Sequence, residues 1–582
     1  MRVSYQVANP KHGSESYLLR FEDDGVGGQT ACVLFDSGTG VDVEALLGDD
    51  EYLTAVFLTH AHLDHYATLT ETLRDGAPVY ASRPTAEMLG NVFSEGEKHY
   101  DVGDHDDVLD ALTPLDDWES FAPNLEARPV PAGHAPGAAG FVVCFVDGGQ
   151  RNHVLVTGDF TKRGIAGYPG LPTTYPEDVD VLVVNGSTTD GYGETLTDAL
   201  ATTLQRAESG SSVLVTASGL TGAAFGYQFA HLCDHLDARV PVTLAGQVAK
   251  LYDDLDYAAP TVEAVPVFDD PAALLERGGV TVAGPEIPVE GSARHLFDEI
   301  EGDAAATLVQ LVGGATDPVE SAGCTVYDYE LVNHPGVSVV DDLVADLDPI
   351  HVVVGHGTRR SLERYRGRYD DGFVWLSEGT DEHVLYDDGR WTAPPWLNQS
   401  AVKAIRAQDW RHNGARGSAG GDWGSVPSVE RRDAPDLAAE GVALDRLEER
   451  FLRSRESGRG SASAGDASPV DASGAADDPG TANAETANAG NAADAESGPD
   501  GTTAKADGGA RGGSGAPGAR TPDDEEFREE VLDRLDAVET RLAGERVRAR
   551  VVDAGPDVTM LRLLDESDLA HDEEVAVVVL DE

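Results

Sequence analysis

The sequence predicts an α/β protein of short buried strands, interrupted by a second α/β unit and followed by a stretch that cannot fold. Three observations predict it. Short apolar runs, VFL at 56–58, VLV at 154–156, VLVV at 181–184 and VVV at 352–354, each pass abruptly into polar residues, as strands buried on both faces do. Between residues 189 and 325, strand-like runs at 213–216, 242–244 and 307–312 alternate with helical patterns near 194–208 and 223–236, the rhythm of an inserted α/β domain. From about Arg455 to Arg520 the chain is Gly, Ala, Ser, Asp and Asn with almost no large apolar residue, so burial cannot offset the entropy of ordering, and a disordered linker is expected.

The length of 582 residues implies two or three domains. The formal charge is -62 and the pI about 4.3, with six lysines against 36 arginines. The acidic excess is spread along the folded part instead of collecting in one tail, the composition of a cytoplasmic protein from a salt-loving organism. An acidic surface ordinarily argues against nucleic-acid partners. At molar salt, where the Debye length is about 3 Å, that argument loses its force. The cysteines Cys32, Cys144, Cys233 and Cys324 are far apart, in apolar settings and without a CxxC pair, so burial in a reducing compartment is expected. The opening MRVSYQVANP lacks the apolar segment of a signal peptide, and no uninterrupted run of 18 apolar residues suggests a membrane span.

The centre of the chain's chemistry is VFLTHAHLDH, residues 56–65. A short strand ends at Leu58, and His60, His62, Asp64 and His65 follow within six positions. Imidazoles and a carboxylate this dense suit Zn²⁺ or another borderline divalent metal. The spacing separates His60 and His62 from Asp64 and His65, which points to two metals. Other ligand types also stand at strand ends. Asp36 follows the run Ala31–Phe35, where it forms either an Asx-turn or an orienting partner for a histidine. His134 lies in AGHAPGAAG, between two strand-like runs. Asp159 ends VLVTGD, where a turn or helix-capping role is the plain alternative.

HAHLDH resembles the HxHxDH signature of metallo-β-lactamase-fold hydrolases. The resemblance implies an αββα sandwich with two zinc ions. It implies His60, His62 and His134 on one metal, Asp64, His65 and His356 on the other, Asp159 bridging, and Asp36 supporting the ligands from behind. The inserted unit resembles the β-CASP domain of RNA- and DNA-processing nucleases, archaeal cleavage-and-polyadenylation-factor-like and ribonuclease J-like, over about residues 15–400. Three marks define that branch. An acidic residue is expected in a strand-end motif closing in ST; the matching stretch is Asn185-Gly186-Ser187-Thr188, with Gly186 at the acidic position and Asp190 displaced from it. A histidine in a polar turn is matched loosely by VNHPG, giving His334, which the resemblance aims at the scissile phosphate or leaving group; a helix cap beside Pro335 is the alternative. The third mark is His356 in IHVVVGHGT. His334, Asp64 and Asp159 are thereby the implied catalytic groups.

Elsewhere, Ala67–Leu73 reads as a helix start, Pro78–Tyr80 as a strand and residues 95–120 as an acidic loop. Arg359, Arg360, Arg364, Arg366 and Arg368 crowd ten positions, and the repeat of Arg360, Arg364 and Arg368 permits one helical face able to hold nucleic acid. A solvated face paired to nearby acids is the alternative. The expected organisation is a sandwich domain in two parts, 1–188 and 326–400, an inserted β-CASP-like domain at 189–325, a partly helical extension at 401–454, the linker at 455–520 and a small module at 521–582. In that module Phe527, Val531, Leu535, Val538 and Leu542 mark a short amphipathic helix, with strand-like runs at 546–552, 558–564 and 574–580, suited to oligomerisation or a protein partner.

The implied function is a zinc-dependent phosphodiester hydrolase acting on RNA or single-stranded DNA, with no membrane association. A small-molecule ester, thioester or phosphodiester hydrolase and a non-catalytic nucleic-acid scaffold are the alternatives. Since the ligands all precede residue 400, cutting the chain after residue 454 is expected to leave turnover of a short substrate intact, whatever it does to stability or assembly. Loss of turnover in a folded, metal-loaded truncation would show that the tail belongs to the chemistry.

Overall fold

The computed structural model describes residues 1–9, 15–23, 29–98, 102–313, 317–377, 379, 381–407, 426–451, 549–553 and 559–563. Contacts divide the chain into two units, Met1–Val470 and Asp471–Glu582. The linker expected at 455–520 and the helix expected at 527–542 lie outside the described residues. In the second unit β22 (Ala549–Asp553) and β23 (Thr559–Leu563) form an antiparallel pair, close to two of the strand-like runs.

The first unit is built on two facing sheets. One has the order β21 (Arg390–Trp391), β20 (His383–Asp387), β1 (Arg2–Val7), β2 (Tyr17–Glu22), β3 (Thr30–Phe35), β4 (Glu51–Leu58), β5 (Val79–Ser82), β6 (Leu112–Leu115). The other has the order β19 (Phe373–Leu376), β18 (His351–Gly355), β11 (Val181–Asn185), β10 (Gln150–Val156), β9 (Ala139–Asp147), β8 (Leu125–Pro131), β7 (Glu119–Ala122). Strand alternation divides their side chains between two cores. Val33, Phe35, Ala55, Phe57, Phe141, Val143, Val154, Val156, Val183 and Val353 fill the space between the sheets. Their neighbours Leu34, Val56, Leu58, Val142, Leu155, Leu182 and Val354 face outward into a second buried layer that includes helix residues. Burial on both faces is why these strands read as unbroken apolar runs. Phe57 sits at the centre, with ring centroids 5.3 Å from Phe35 and 5.0 Å from Phe141. This is the metallo-β-lactamase αββα sandwich.

Strand direction places the chemistry. β3, β4 and β5 run parallel, as do β10, β11, β18 and β19, while β8 is antiparallel to β9 and β9 to β10. The segments after β3, β4, β8, β10, β11 and β18 therefore leave from strand ends of common direction within each sheet, and they carry Asp36, His60–His65, His134, Asp159, Ser187 and His356.

The insertion is a third, wholly parallel sheet of order β14 (Val262–Val265), β13 (Val242–Ala245), β15 (Val280–Ala283), β12 (Val213–Thr216), β16 (Thr307–Val312), β17 (Thr325–Glu330). The helix Tyr192–Glu208 leads from β11 into this sheet, and helices Gly219–His235, Gln247–Asp254 and Gly291–Ile300 lie between its strands. β17 completes this sheet beside β16, so the boundary expected at 325 comes one strand too early: the half-buried, acidic TVYDYE edge gives little apolar signal. Two further expectations are corrected. Residues 95–120 are not one loop, for they hold the helix Asp106–Ala111, β6 and the start of β7. The helix expected from Ala67 is instead two single turns, Leu63–Tyr66 and Leu69–Thr72, the second seated where Ser37 Oγ meets the hydroxyls of Thr68 and Thr72.

Residues 426–451 strap the insertion to the sandwich. Glu440 is only 3 % exposed. Its carboxylate accepts from the backbone N–H groups of Ala166 and Gly167, each at 2.8 Å, and from Gln228 Nε2 at 2.7 Å. It thereby joins a sandwich loop, the helix Gly219–His235 and the strap itself. Arg431 adds a second tie, its guanidinium 5.1 Å from the Tyr257 ring and donating to the Asp256 carbonyl at 2.7 Å. Removing a buried acceptor strands its donors at about 1–3 kcal/mol each. Glu440→Ala is accordingly expected to lower unfolding stability by about 2–4 kcal/mol, measured by urea titration, with Glu440→Gln intermediate. An unchanged midpoint would mean that the strap contributes nothing to stability.

Candidate metal centre

The sequence LTHAHLDH turns sharply at the end of β4, so its ligands leave the sheet together. Asp36 organises them. Its Oδ1 accepts from the Thr59 backbone N–H at 2.7 Å, and its Oδ2 accepts from the Thr59 hydroxyl at 2.8 Å. Oδ2 also lies 2.8 Å from His65 Nδ1, and Thr59 Oγ1 lies 3.0 Å from His60 Nδ1. A carboxylate accepts only, so His65 carries its proton on Nδ1 and turns Nε2 toward the site; the Thr59 hydroxyl, already donating to Asp36, does the same for His60.

Three ring nitrogens then converge. His60 Nε2 lies 3.0 Å from His62 Nδ1, and His134 Nε2 lies 3.1 Å from the same atom. Burial pushes the His60 pKa well below its ordinary value and that of His134 down to about 3, so both rings are neutral. Neutral rings converging on one small volume are a donor set that a divalent cation can occupy. The buried Nε2 of His65 likewise has no hydrogen-bond partner.

Asp159 stands between the two groups. It is 3 % exposed. Its Oδ1 lies 2.7 Å from His356 Nδ1; its Oδ2 lies 3.1 Å from His334 Nε2, 3.6 Å from His134 Nε2 and 3.7 Å from His65 Nε2. Burial alone would raise its pKa, but His356, His334 and His65 outweigh it and hold the carboxyl well below the usual range. Four sets of mutually close ligand atoms result: His60–His62–His134, Asp64–His65–His356, His60–His65–Asp159 and His134–Asp159–His334. The first two are distinct clusters, which gives the protein the capacity for two metal ions, and the donor set fits them. The structure thus brings together all seven expected ligands, with Asp36 behind them. His334 lies closer in than expected, against Asp159 itself.

Other residues complete the site. Asn333 locks His134 from both directions: the Asn333 carbonyl lies 2.8 Å from His134 Nδ1, and Asn333 Nδ2 donates to the carbonyl of His134 at 2.6 Å. Arg163 in turn donates to Asn333 Oδ1 at 2.8 Å. Asn185 Nδ2 donates to Asp159 Oδ1. An asparagine beside a candidate histidine is the only sequence signal for Asn333, and nothing local distinguishes Asn185.

Of the arginine cluster, the side chains of Arg364, Arg366 and Arg368 are described, and each is paired within the chain. Arg364 donates to the Gly186 carbonyl at 3.0 Å and to Thr188 Oγ1 at 2.8 Å. Arg368 makes a paired contact with Asp341, both at 2.6 Å, and Arg366 pairs with Glu363. The helix here is only Arg359–Glu363, so the four-residue repeat outruns it. The side chains of Arg359 and Arg360 lie outside what the structure describes.

A cavity of about 430 Å³ opens above the cluster, between His62, Asp64, His134, Asp159 and His334 on the sandwich and Ser218, Thr221, Phe225, Gln228 and Glu286 on the insertion. Among the described residues lining it, none is a lysine or arginine. No helix among the described residues is long and apolar enough to cross a membrane.

A sandwich of this kind with clustered His and Asp ligands at its strand ends defines a class of protein, the metallo-β-lactamase-fold scaffold. Residues 12–217 match the model of the metallo-beta-lactamase superfamily. Among curated proteins the chain is 29 % identical over 226 residues to "Ribonuclease TTHA0252" of Thermus thermophilus, a match covering 36 % of this chain and 50 % of that one. It is 31 % identical over 126 residues to "Endoribonuclease YSH1" of Mycosarcoma maydis, covering 19 % and 14 %. It is 32 % identical over 145 residues to the human "DNA cross-link repair 1A protein", covering 24 % and 12 %. The chain therefore spans half the length of the first relative and a small part of the others.

Metal-loaded protein is expected to carry about two divalent ions per chain by elemental analysis. Asp159→Asn should reduce the content of both; a variant that keeps two ions would show that Asp159 is not shared.

Proposed function

We propose that this protein is a metal-dependent phosphodiester hydrolase acting on nucleic acid, with RNA as its first substrate and single-stranded DNA its second, and with Zn²⁺ as its metal. The observation that carries the reading is the pair of ligand clusters sharing Asp159 beneath an inserted α/β roof. The likeness of residues 12–217 to the metallo-β-lactamase superfamily and the printed names of three nucleic-acid-processing relatives support it.

In this reading His60, His62 and His134 would hold one ion and Asp64, His65 and His356 the other, with Asp159 shared between them. Bound there, the ions would supply hydroxide at neutral pH and neutralise phosphate charge. The chain's own groups do the rest. Asp36 fixes the tautomer of His65 directly and that of His60 through Thr59, keeping lone pairs on the inward nitrogens. Asn333 keeps His134 in register. The insertion covers the cluster and limits water around the scissile bond. His334, at the cavity wall with Nε2 inward, is the group placed to hand a proton to a departing alkoxide.

A second reading, a hydrolase of a small ester, thioester or phosphodiester, is favoured by one observation: the cavity walls carry no cationic side chain among the described residues, and Arg364 and Arg368 are committed to internal partners. The two readings separate on a panel of labelled RNA, single-stranded DNA and bis(p-nitrophenyl) phosphate, tested at low and high salt, with metal removed and restored. Cleavage of RNA or DNA that returns with metal supports the first; turnover of the small ester alone supports the second; inactivity of metal-loaded protein on all three leaves a binding scaffold. His334→Ala is expected to keep both ions and to slow single-turnover RNA cleavage by about 10²–10⁴-fold.

A further inference from the structure

The resemblance that suggests a nuclease also expects an acidic side chain at the end of β11, where this chain has Gly186. The structure gives a physical reason for the glycine. A Cβ at 186 would lie 2.8 Å from Val354 Cγ1, 2.9 Å from Leu362 Cδ2 and 3.1 Å from the Gly355 carbonyl, so any side chain there would have to displace Val354 and Leu362. Asp190 does not substitute: its carboxylate lies against Gly336, at the start of the helix Val337–Leu347. What meets His334 is the next residue. Ser187 Oγ lies 3.0 Å from His334 Nδ1, on the ring edge opposite Asp159.

We propose that Ser187 is the positioning residue of His334, its hydroxyl taking the place beside the ring that the missing carboxylate leaves open. The turn that carries it is tied at several points. Ser187 N–H donates to Asn185 Oδ1 at 2.6 Å, while the amide of the same Asn185 donates to Asp159. Gly186 N–H donates to the Gly355 carbonyl at 2.6 Å, and Thr189 N–H to the Pro335 carbonyl at 3.1 Å. Arg364 clamps the Gly186 carbonyl and the Thr188 hydroxyl. The arginine expected to touch nucleic acid instead holds the turn that holds the histidine. Hydrogen-bond chemistry fixes the direction. Nε2 faces Asp159 Oδ2, which only accepts, so Nε2 carries a proton. A ring that gives up its Nε2 proton does so as the imidazolium, whose Nδ1–H donates to the Ser187 hydroxyl oxygen, and it is left as the neutral ring with that bond intact. Ser187 thus presents the ring with a proton on the nitrogen that faces the cavity.

This inference rests on the reading of His334 as a proton donor in nucleic-acid cleavage, and the test separates the two. Full-length, metal-loaded protein is assayed in single turnover on a labelled single-stranded RNA and on bis(p-nitrophenyl) phosphate, whose phenolate departs without a proton. Ser187→Ala is expected to slow RNA cleavage by about 10–100-fold at saturating RNA, with KM and metal content unchanged. Ser187→Thr, which restores the hydroxyl, should recover to within about threefold of wild type, and hydrolysis of the aryl diester should change little in either. In a His334→Ala background, Ser187→Ala should add no further loss. Wild-type rates in Ser187→Ala while His334→Ala is slow would overturn the proposal and leave the function standing. A further loss in the double variant, or equal losses on both substrates, would overturn it too, since Ser187 would then act on something other than His334. Normal cleavage by His334→Ala would overturn it along with the proton-donor role. If wild type ignores RNA, the function falls, and a crystal structure of metal-loaded Ser187→Ala decides the positioning: a ring turned away from Asp159 supports it, and an unmoved ring overturns it.

Discussion

One buried carboxylate is the constraint on which the site depends. Asp159 is almost out of contact with solvent, and an ionised group there costs several kcal/mol unless charge and hydrogen bonds surround it. Its neighbours arrive from separate strand ends: His65 after β4, His134 after β8, His334 after the insertion and His356 after β18. Bringing them together demands unusual backbone. Gly158 has φ +56, and a Cβ there would lie 2.7 Å from the Thr59 side chain, so glycine is what lets the Asp159 loop close on the histidine loop. Asp36 and His356 themselves adopt φ of 59 and 52, positions that surrounding contacts must hold.

The same geometry explains why the inserted domain is more than an attachment. Its return segment delivers Asn333 to His134 and His334 to Asp159, so the cluster is finished by residues that the chain reaches only after leaving and re-entering the sandwich. The strap adds a separate tie: Glu440 gathers the sandwich loop at Ala166 and Gly167 with Gln228, which also lines the cavity. Cover and cluster are thereby one mechanical unit. No lysine or arginine stands among the described residues that line the cavity.

Positional signals in the sequence were strong wherever a ligand follows a strand. HAHLDH, GHAP, TGD and GHG each sit directly after an apolar run, and a strand end delivers its next residues to a predictable edge of a sheet. The acidic β17 and the short elements between residues 95 and 120 escaped because half-buried edge strands and one-turn helices carry little periodic signal. The arginine repeat is not carried by one helix, for a different reason. Four-residue spacing shows which side chains share a face only while the helix lasts, and here it ends at Glu363, before Arg364 turns to the β11 turn and Arg368 to Asp341.

By itself, then, the sequence showed short buried strands, a second α/β rhythm between them and a dense set of ligand candidates at strand ends, since these follow from local burial pattern and residue type, while the sandwich and the division of the ligands came from the family resemblance. Tertiary structure alone decided the partnerships: Thr59 between Asp36 and His60, Asn333 behind His134, Asn185 on Asp159, Ser187 on His334 and Glu440 beneath the roof. The physical reason is distance along the chain. A serine and a histidine 147 positions apart share no local pattern, and a hydrogen bond of 3.0 Å between them exists only once two strand ends and a returning loop have been packed to within that tolerance.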